Sequence, residues 1–204
     1  MKASVAWSDV LIGQDTLPEV AAICAAGGHV LELGCGAASG LLTSLVLYPR
    51  MTAVGADLNG LALEEARRRA AEVGVSERIE LRRQDAREVR EEVCYDLMFW
   101  SDHFFPSATR AATLAAAYRA LRPGGYLFLS SLGEPPASAE ALSQPSGRAD
   151  ALSRLLFSSW GVPIMDGRDA AAELEGAGFT VVRVLPSPAD TLARAMLVQR
   201  PPVS

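Results

Sequence analysis

Three carboxylates each stand where an apolar run ends, and each invites a different hydrogen bond. Glu32 precedes Gly34-Cys35-Gly36 by two places. A chain that breaks at two glycines and then opens a helix lets backbone N–H groups approach a ligand with no side chain in the way. An acid at that point sits badly beside a pyrophosphate and well beside a cation, so Glu32 points to an ammonium or sulfonium compound. Asp57 closes the run Val54-Gly55-Ala56-Asp57, a place from which a carboxylate accepts from both hydroxyls of a ribose. Asp85, in Arg83-Gln84-Asp85-Ala86, is placed to accept from an exocyclic adenine amine. A fourth group, Trp100-Ser101-Asp102-His103-Phe104-Phe105-Pro106, sets a base candidate and an acid among aromatic walls.

The elements that must position these groups alternate. Strands are predicted at 29–33, 51–57, 79–83, 95–101 and 126–131, and helices at 39–48, 60–73 and 108–121. A further helix at 17–26 has Asp15 or Thr16 as its N-cap and Pro18 in its first turn. This rhythm predicts an α/β fold with a doubly wound, mostly parallel seven-stranded sheet of Rossmann-like type. Ligands of such sheets bind beyond the carboxyl ends of the strands, which is where the three acids would meet. Residues 133–147 are rich in Pro, Ser and Ala and predict a long loop. Helices follow at 148–159 and 167–176, the second capped by Asp166. The last two strands, 178–185 and 191–199, are joined too briefly for a parallel crossover, so they form an antiparallel C-terminal hairpin.

Composition bounds what these groups serve. Across 204 residues, 19 Lys and Arg face 24 Asp and Glu, a formal net charge of −5. A phosphate backbone as main partner needs clustered basic residues, so no nucleic acid is expected. Arg67-Arg68-Arg69 interleaves with Glu64 and Glu65 and reads as a solvated helix face. Cys24, Cys35 and Cys94 have no metal-ligand spacing and form no even set, which suits reduced cytoplasmic thiols and no metal. Asp9, Asp15 and Glu19 interrupt the region where a signal peptide needs an apolar run. No stretch reaches the ~18 apolar residues of a membrane span, so no membrane partner is expected. The expectation is one cytoplasmic domain over 1–204, with 1–16 as an arm or lid and 133–166 as an insertion beside the substrate pocket. Monomer and homodimer stay open.

Five pieces together carry a family resemblance: Val30-Leu31-Glu32-Leu33-Gly34-Cys35-Gly36, Val54-Gly55-Ala56-Asp57, Gln84-Asp85-Ala86, Tyr95-Asp96-Leu97-Met98-Phe99-Trp100 and Leu121-Arg122-Pro123-Gly124-Gly125. With these the chain resembles the class I S-adenosylmethionine-dependent methyltransferases of small-molecule type, over residues 17–131. One departure is Ala38, which stands where the family often has a third glycine. The resemblance implies S-adenosylmethionine as cofactor and S-adenosylhomocysteine as its product. The implied cofactor residues are Glu32, Gly34, Cys35, Gly36, Asp57, Leu58, Asp85, Ala86, Trp100 and Ser101. It also implies in-line methyl transfer, in which positioning supplies much of the rate and a base serves where the acceptor must lose a proton.

The acceptor is read from the residues just after the fourth strand. No Asn/Asp-Pro-Pro-aromatic motif of base methylation is present there. Neither the glutamate pair of arginine methylation nor the acid cluster of metal-dependent catechol chemistry is visible. Trp100, Phe104 and Phe105 around His103 suit a small aromatic or polyketide-like substrate carrying a hydroxyl, of the kind made in secondary metabolism, with His103 as general base. Trp7 and Trp160 are further substrate contacts as lid residues. Two other readings compete. An NAD(P)-linked oxidoreductase is opposed by Glu32 and by Ser39, where the dinucleotide turn has glycine. A binding module would hold the cofactor as a scaffold or partner subunit without transferring methyl.

Overall fold

The structure is a computed structural model that describes residues 17–132, 138–185 and 193–203. Trp7 and the expected arm of residues 1–16, the expected caps Asp15 and Thr16, and the 186–190 connection lie outside the described residues.

In chain order the elements are α1 (Pro18–Ala26), β1 (His29–Leu33), α2 (Ser39–Leu47), β2 (Thr52–Asp57), α3 (Gly60–Glu72), β3 (Ile79–Arg83), β4 (Tyr95–Ser101), α4 (Ser107–Ala120) and β5 (Leu121–Leu132). They continue as α5 (Ala139–Ser143), α6 (Pro145–Ser159), α7 (Gly167–Gly176), β6 (Thr180–Leu185) and β7 (Ala193–Gln199). The seven strands form one sheet in the order β3-β2-β1-β4-β5-β7-β6. Strands β1 to β5 run parallel, and β7 pairs antiparallel with both β5 and β6. The doubly wound sheet with an antiparallel C-terminal pair is thus as expected, with β7 inserted between β5 and β6.

Alternation along the central strands divides the core into two layers. Val30, Leu97 and Phe99 face α1, α2 and α3, where they meet Leu41, Leu45, Leu63 and Ala66. Leu31, Leu33, Met98 and Trp100 face α4 and α7, against Leu114, Ala117 and Leu174. Parallel strands covered on both faces are apolar throughout, so a carboxylate inside one is a departure that needs a reason. Glu32 is that departure; it shares the side of Val30.

Three local differences from expectation have physical causes. Helix α1 begins on Pro18 with Leu17 at the N-cap position; Leu17 is buried and gives no side-chain cap, so packing fixes this start. Strand β5 begins at Leu121, ahead of the expected 126, because Leu121 already pairs with Tyr95 and the Pro-Gly-Gly turn is absorbed as a register shift. Gly124 donates to Arg200 O and Arg200 donates to Gly125 O, which anchors that irregularity. Within the expected 133–147 loop, Ser138 Oγ accepts from Ala141 N at 3.1 Å and starts α5, and Pro145 opens α6. Asp166 caps α7 as expected, accepting from Arg168 N and Asp169 N. Among the described residues no helix is long and apolar enough to cross a membrane.

Candidate functional site

The turn after β1 is tied to the end of β2. Gly34 N and Cys35 N both donate to Ala56 O, at 2.8 and 3.1 Å. Gly36 N donates to Asp57 Oδ2 at 2.7 Å, and Asn59 N donates to Asp57 Oδ1 at the same distance. Gly34 and Gly36 have φ of +72° and +53°, the left-handed region where glycine is free of strain. Ala38 also lies there, at φ +53°, as the N-cap residue of α2. A non-glycine residue pays roughly 1 kcal/mol for that conformation. Here its methyl is fully buried beside α2, which offsets part of the strain. A Cβ built on Gly36 would meet nothing within 4 Å, so the second glycine opens onto free space. A Cβ on Gly34 would lie 3.1 Å from the Phe105 ring, so the first glycine seats that aromatic.

The free space is a cleft of about 570 Å³ at the carboxyl ends of β1, β2 and β3. Gly34 and Gly36 form one wall, and Ala56, Asp57, Leu58 and Asn59 a second. Gln84, Asp85, Ala86 and Arg87 close the far side, while Phe104, Phe105 and Pro106 come from the β4–α4 connection and Thr109 from the first turn of α4. Sequence reasoning therefore brought Gly34, Gly36, Asp57, Leu58, Asp85, Ala86, Phe104 and Phe105 to one cavity. Gln84 and Pro106, from the motifs already noted, line it too, and Asn59, Ala62, Arg87 and Thr109 join them without having been expected. Asn59 carried a signal: an Asn before Gly-Leu-Ala is an N-cap, and it does accept from Leu61 N and Ala62 N to start α3 at the cleft.

Glu32 explains the electrostatics. Its carboxyl is buried, and Oε2 has no hydrogen-bond partner among the described residues. Burial first, and the charge of Asp57 second, push its pKa up to about 8. An unpartnered buried acceptor costs free energy that a cationic donor would recover. S-adenosylmethionine carries an ammonium and a sulfonium, so the orphaned oxygen and the unobstructed Gly36 fit this group. Asp57 holds the turn with one bond to each oxygen and keeps acceptor capacity on both. Asp85 is engaged on its outer side: it accepts from Arg87 N at 2.9 Å and pairs with the Arg87 guanidinium at 2.7 Å. That guanidinium holds the Asp85 carboxyl below its usual range.

Other named residues take places around the cleft. The Cys35 side chain turns away into the α1–α3 layer, where a Cβ on Gly55 would meet its Sγ at 2.8 Å. Burial raises its pKa, so it is a packed thiol. Trp100 lies fully buried beneath the cleft, edge-on to Phe105 at 5.4 Å, with the Arg110 guanidinium 5.0 Å above its ring. Ser101, partly buried, pairs in register with Ser130. Asp102, expected as an acid of the pocket mouth, is buried instead. Arg110 holds it at 3.0 Å and at the same time binds Glu173 of α7 at 2.8 Å. Nothing in the sequence pattern linked these three positions.

His103 Nδ1 lies 3.0 Å from Ser130 O. A carbonyl oxygen only accepts, so Nδ1 carries the proton and the neutral ring keeps its lone pair on Nε2. Burial lowers its pKa below 6.5, against the opposing pull of the Ser130 carbonyl and Asp102. The ring packs at 4.3 Å from Phe104 and 5.6 Å from Phe157, beside the cleft-lining residues and not among them. Trp160, half exposed, extends the same cluster at 5.6 Å from Phe157.

Known proteins resemble the part of the chain that builds this cleft. Residues 30–125 match a family described as a methyltransferase domain. Over 113 residues the chain is 30% identical to a ubiquinone biosynthesis O-methyltransferase of Pseudomonas savastanoi pv. phaseolicola, covering 54% of this chain. The chain spans about half of that relative, 47% of its length. A possible exported protein from Bordetella parapertussis shares 29% identity with a TM-score of 0.70, over 86% of this chain and 62% of that one. An O-methyltransferase family protein from Burkholderia thailandensis shares the fold at a TM-score of 0.70 and 18% identity, over 99% of this chain and 60% of that one. Residues 30–125 are thus similar to a methyltransferase domain, and the chain has a Rossmann-like α/β fold of methyltransferase type.

Proposed function

We propose that this protein transfers a methyl group from S-adenosylmethionine to a hydroxyl oxygen of a small aromatic acceptor, as one cytoplasmic domain. The observation that carries the reading is the buried, unpartnered Glu32 carboxylate oxygen beside a turn whose second glycine opens onto the cleft. Glu32 meets the ammonium, the Gly34–Gly36 backbone the methionine portion, Asp57 the ribose hydroxyls, and Asp85 with Leu58 and Ala86 the adenine. Trp100 and Ser101 support the floor. When bound, the cofactor supplies an electrophilic methyl carbon on sulfur. His103 Nε2 takes the acceptor proton as the new O–CH3 bond forms and the S–CH3 bond breaks, with Phe104 and Phe105 flanking the acceptor ring. Trp160 and the 138–166 segment border that space, and Trp7 is assigned to its lid. The O-methyltransferase relative supports oxygen as the acceptor atom.

Thermal melts with S-adenosylmethionine, S-adenosylhomocysteine and NAD test the cofactor. At 100 times the dissociation constant a ligand adds about 2.7 kcal/mol. The adenosyl ligands should raise Tm and NAD should not; the reverse would overturn the reading. For the base, the rate on a verified acceptor should rise with pH through a value below 6.5 and level off above it, because His103 must be neutral. His103→Ala should remove that limb while leaving cofactor affinity unchanged. An unaltered rate profile in His103→Ala would show that His103 is not the base. A second reading, a cofactor-holding scaffold, draws on the position of His103 outside the cleft lining; cofactor binding with no methyl transfer to any hydroxylated acceptor would favour it.

A further inference from the structure

Helix α6 is inside out. A surface helix normally turns its apolar stripe to the core. Here the buried positions are Gly147, Asp150 and Arg154, the last two an ion pair at 2.7 Å. The apolar side chains face outward instead: Leu152 and Leu155 are 68% exposed, Leu156 47% and Trp160 49%. With about 3.6 residues per turn, the direction opposite Arg154 falls midway between Leu152 and Leu156. Ala149 and Ser159 flank these two leucines, with Arg148 and Trp160 beyond them, all four exposed. Trp160 stands at the C-cap with a near-helical backbone, φ −90° and ψ 2°, so it continues the same stripe. Single exposed leucines are ordinary, but a contiguous stripe marks an interaction surface.

The order of residues along the stripe identifies its occupant. From one end it reads Arg148, Ala149, Leu152, and from the other Trp160, Ser159, Leu156, the two halves being symmetric about position 154. A second α6 laid antiparallel across a twofold axis at that position sets Leu152 against the partner's Leu156 and Ala149 against the partner's Ser159. It also sets Arg148 against the partner's Trp160, and every contact occurs twice. The small residues let the backbones approach, and a guanidinium over an indole face is an attractive pair. Arg148 makes no ion pair among the described residues that would compete with that contact. We propose that α6 is the seam of a symmetric dimer of this chain. Side chains of this size carry roughly 150–250 Å² each, so the exposed fractions leave about 450 Å² of apolar surface on one copy. Two copies with their small and polar neighbours reach about 1,000 Å², the lower bound of a specific interface. A helix that lies on a membrane opposes its apolar stripe with a Lys- and Arg-rich face. Opposite this stripe lies a buried ion pair, and Arg148 is the one exposed cation of α6.

Sedimentation velocity of the full chain between about 1 and 100 µM should show a concentration-dependent passage from one copy to two, as befits an interface of this size. Leu152→Lys and Leu156→Glu each place an unpaired charge in the seam twice, and each variant alone should stay single throughout that range. Both sites are exposed in the single copy, and circular dichroism checks that the fold is kept. Mixing the two variants in equal amounts is the deciding arm. In the mixed pair the two introduced charges face each other once and leucine faces leucine once, so association should return to within about tenfold of the parent. A parent chain that stays single at about 100 µM overturns the proposal. Single variants that pair like the parent overturn it too, as does a mixture that stays single when the parent pairs, because the register about position 154 would then be wrong. Flotation of a single-copy parent with phosphatidylcholine–phosphatidylglycerol vesicles, lost in Leu156→Glu, would overturn it in favour of a lipid surface.

Discussion

Glu32 is held in a position that leaves its carboxyl short of partners in the folded protein. Its carboxyl is buried with one oxygen unpartnered, and its pKa is pushed up to about 8, chiefly by burial. For an acid raised in the native state, the stabilising contribution is present below its unfolded value near 4.5. It is lost as pH rises through about 8, where the native state must ionise. Glu32→Gln should therefore leave stability near that of the parent at pH 4.5 and exceed it at pH 9 by about 1–3 kcal/mol in urea titrations. The same change should weaken S-adenosylmethionine binding at least tenfold and abolish its rise with pH between 6.5 and 8. Equal stability at pH 9 would show that the carboxylate already has a partner. The residue's exceptional setting was legible in the sequence because an acid two places before a glycine turn conflicts with an otherwise apolar strand. His103 was less so: the Nδ1–H bond to Ser130 O that fixes its tautomer spans two strands, and no spacing encodes it.

Among the elements, α4 does more than cover the sheet. Arg110 binds Asp102 at the end of β4 and Glu173 on α7, and lies over Trp100. It thereby fixes the 102–106 connection that carries Phe104 and Phe105 into the cleft. Breaking a buried network of this kind leaves uncompensated charge, so Arg110→Ala should cost about 3–5 kcal/mol in chemical denaturation. A loss under 1 kcal/mol would mean that water replaces the guanidinium. The strands and helices of the parallel half were readable because turn glycines, prolines and apolar runs are local signals: β3 and β4 have the predicted bounds. The start of β5 was not, since Leu121 joins the sheet through Tyr95, a partner distant in sequence. The inverted polarity of α6 escaped for the opposite reason. Its leucines sit at a helical period that sequence alone assigns to the core, and only the Asp150–Arg154 pair beneath them shows otherwise.

At the scale of the molecule, β1 and β4 occupy the centre of the sheet with a core layer on each face, while β3 and β6 form its edges. Amide exchange should be slowest in His29–Leu33 and Tyr95–Ser101 and fastest, among the strands, in Thr180–Leu185. Slower exchange in β6 than in β1 would mean that its outer edge is covered in solution. The strand order also governs how the chain is made. β6 leaves the ribosome before β7, yet β7 is its partner in the sheet and separates it from β5. Until Ala193–Gln199 has been synthesised, β5 offers an open edge and β6 has nowhere to dock. The half that builds the β1–α2 turn can thus assemble during translation, whereas β7 is the keystone that ends a period of exposure to chaperones and to neighbouring nascent chains.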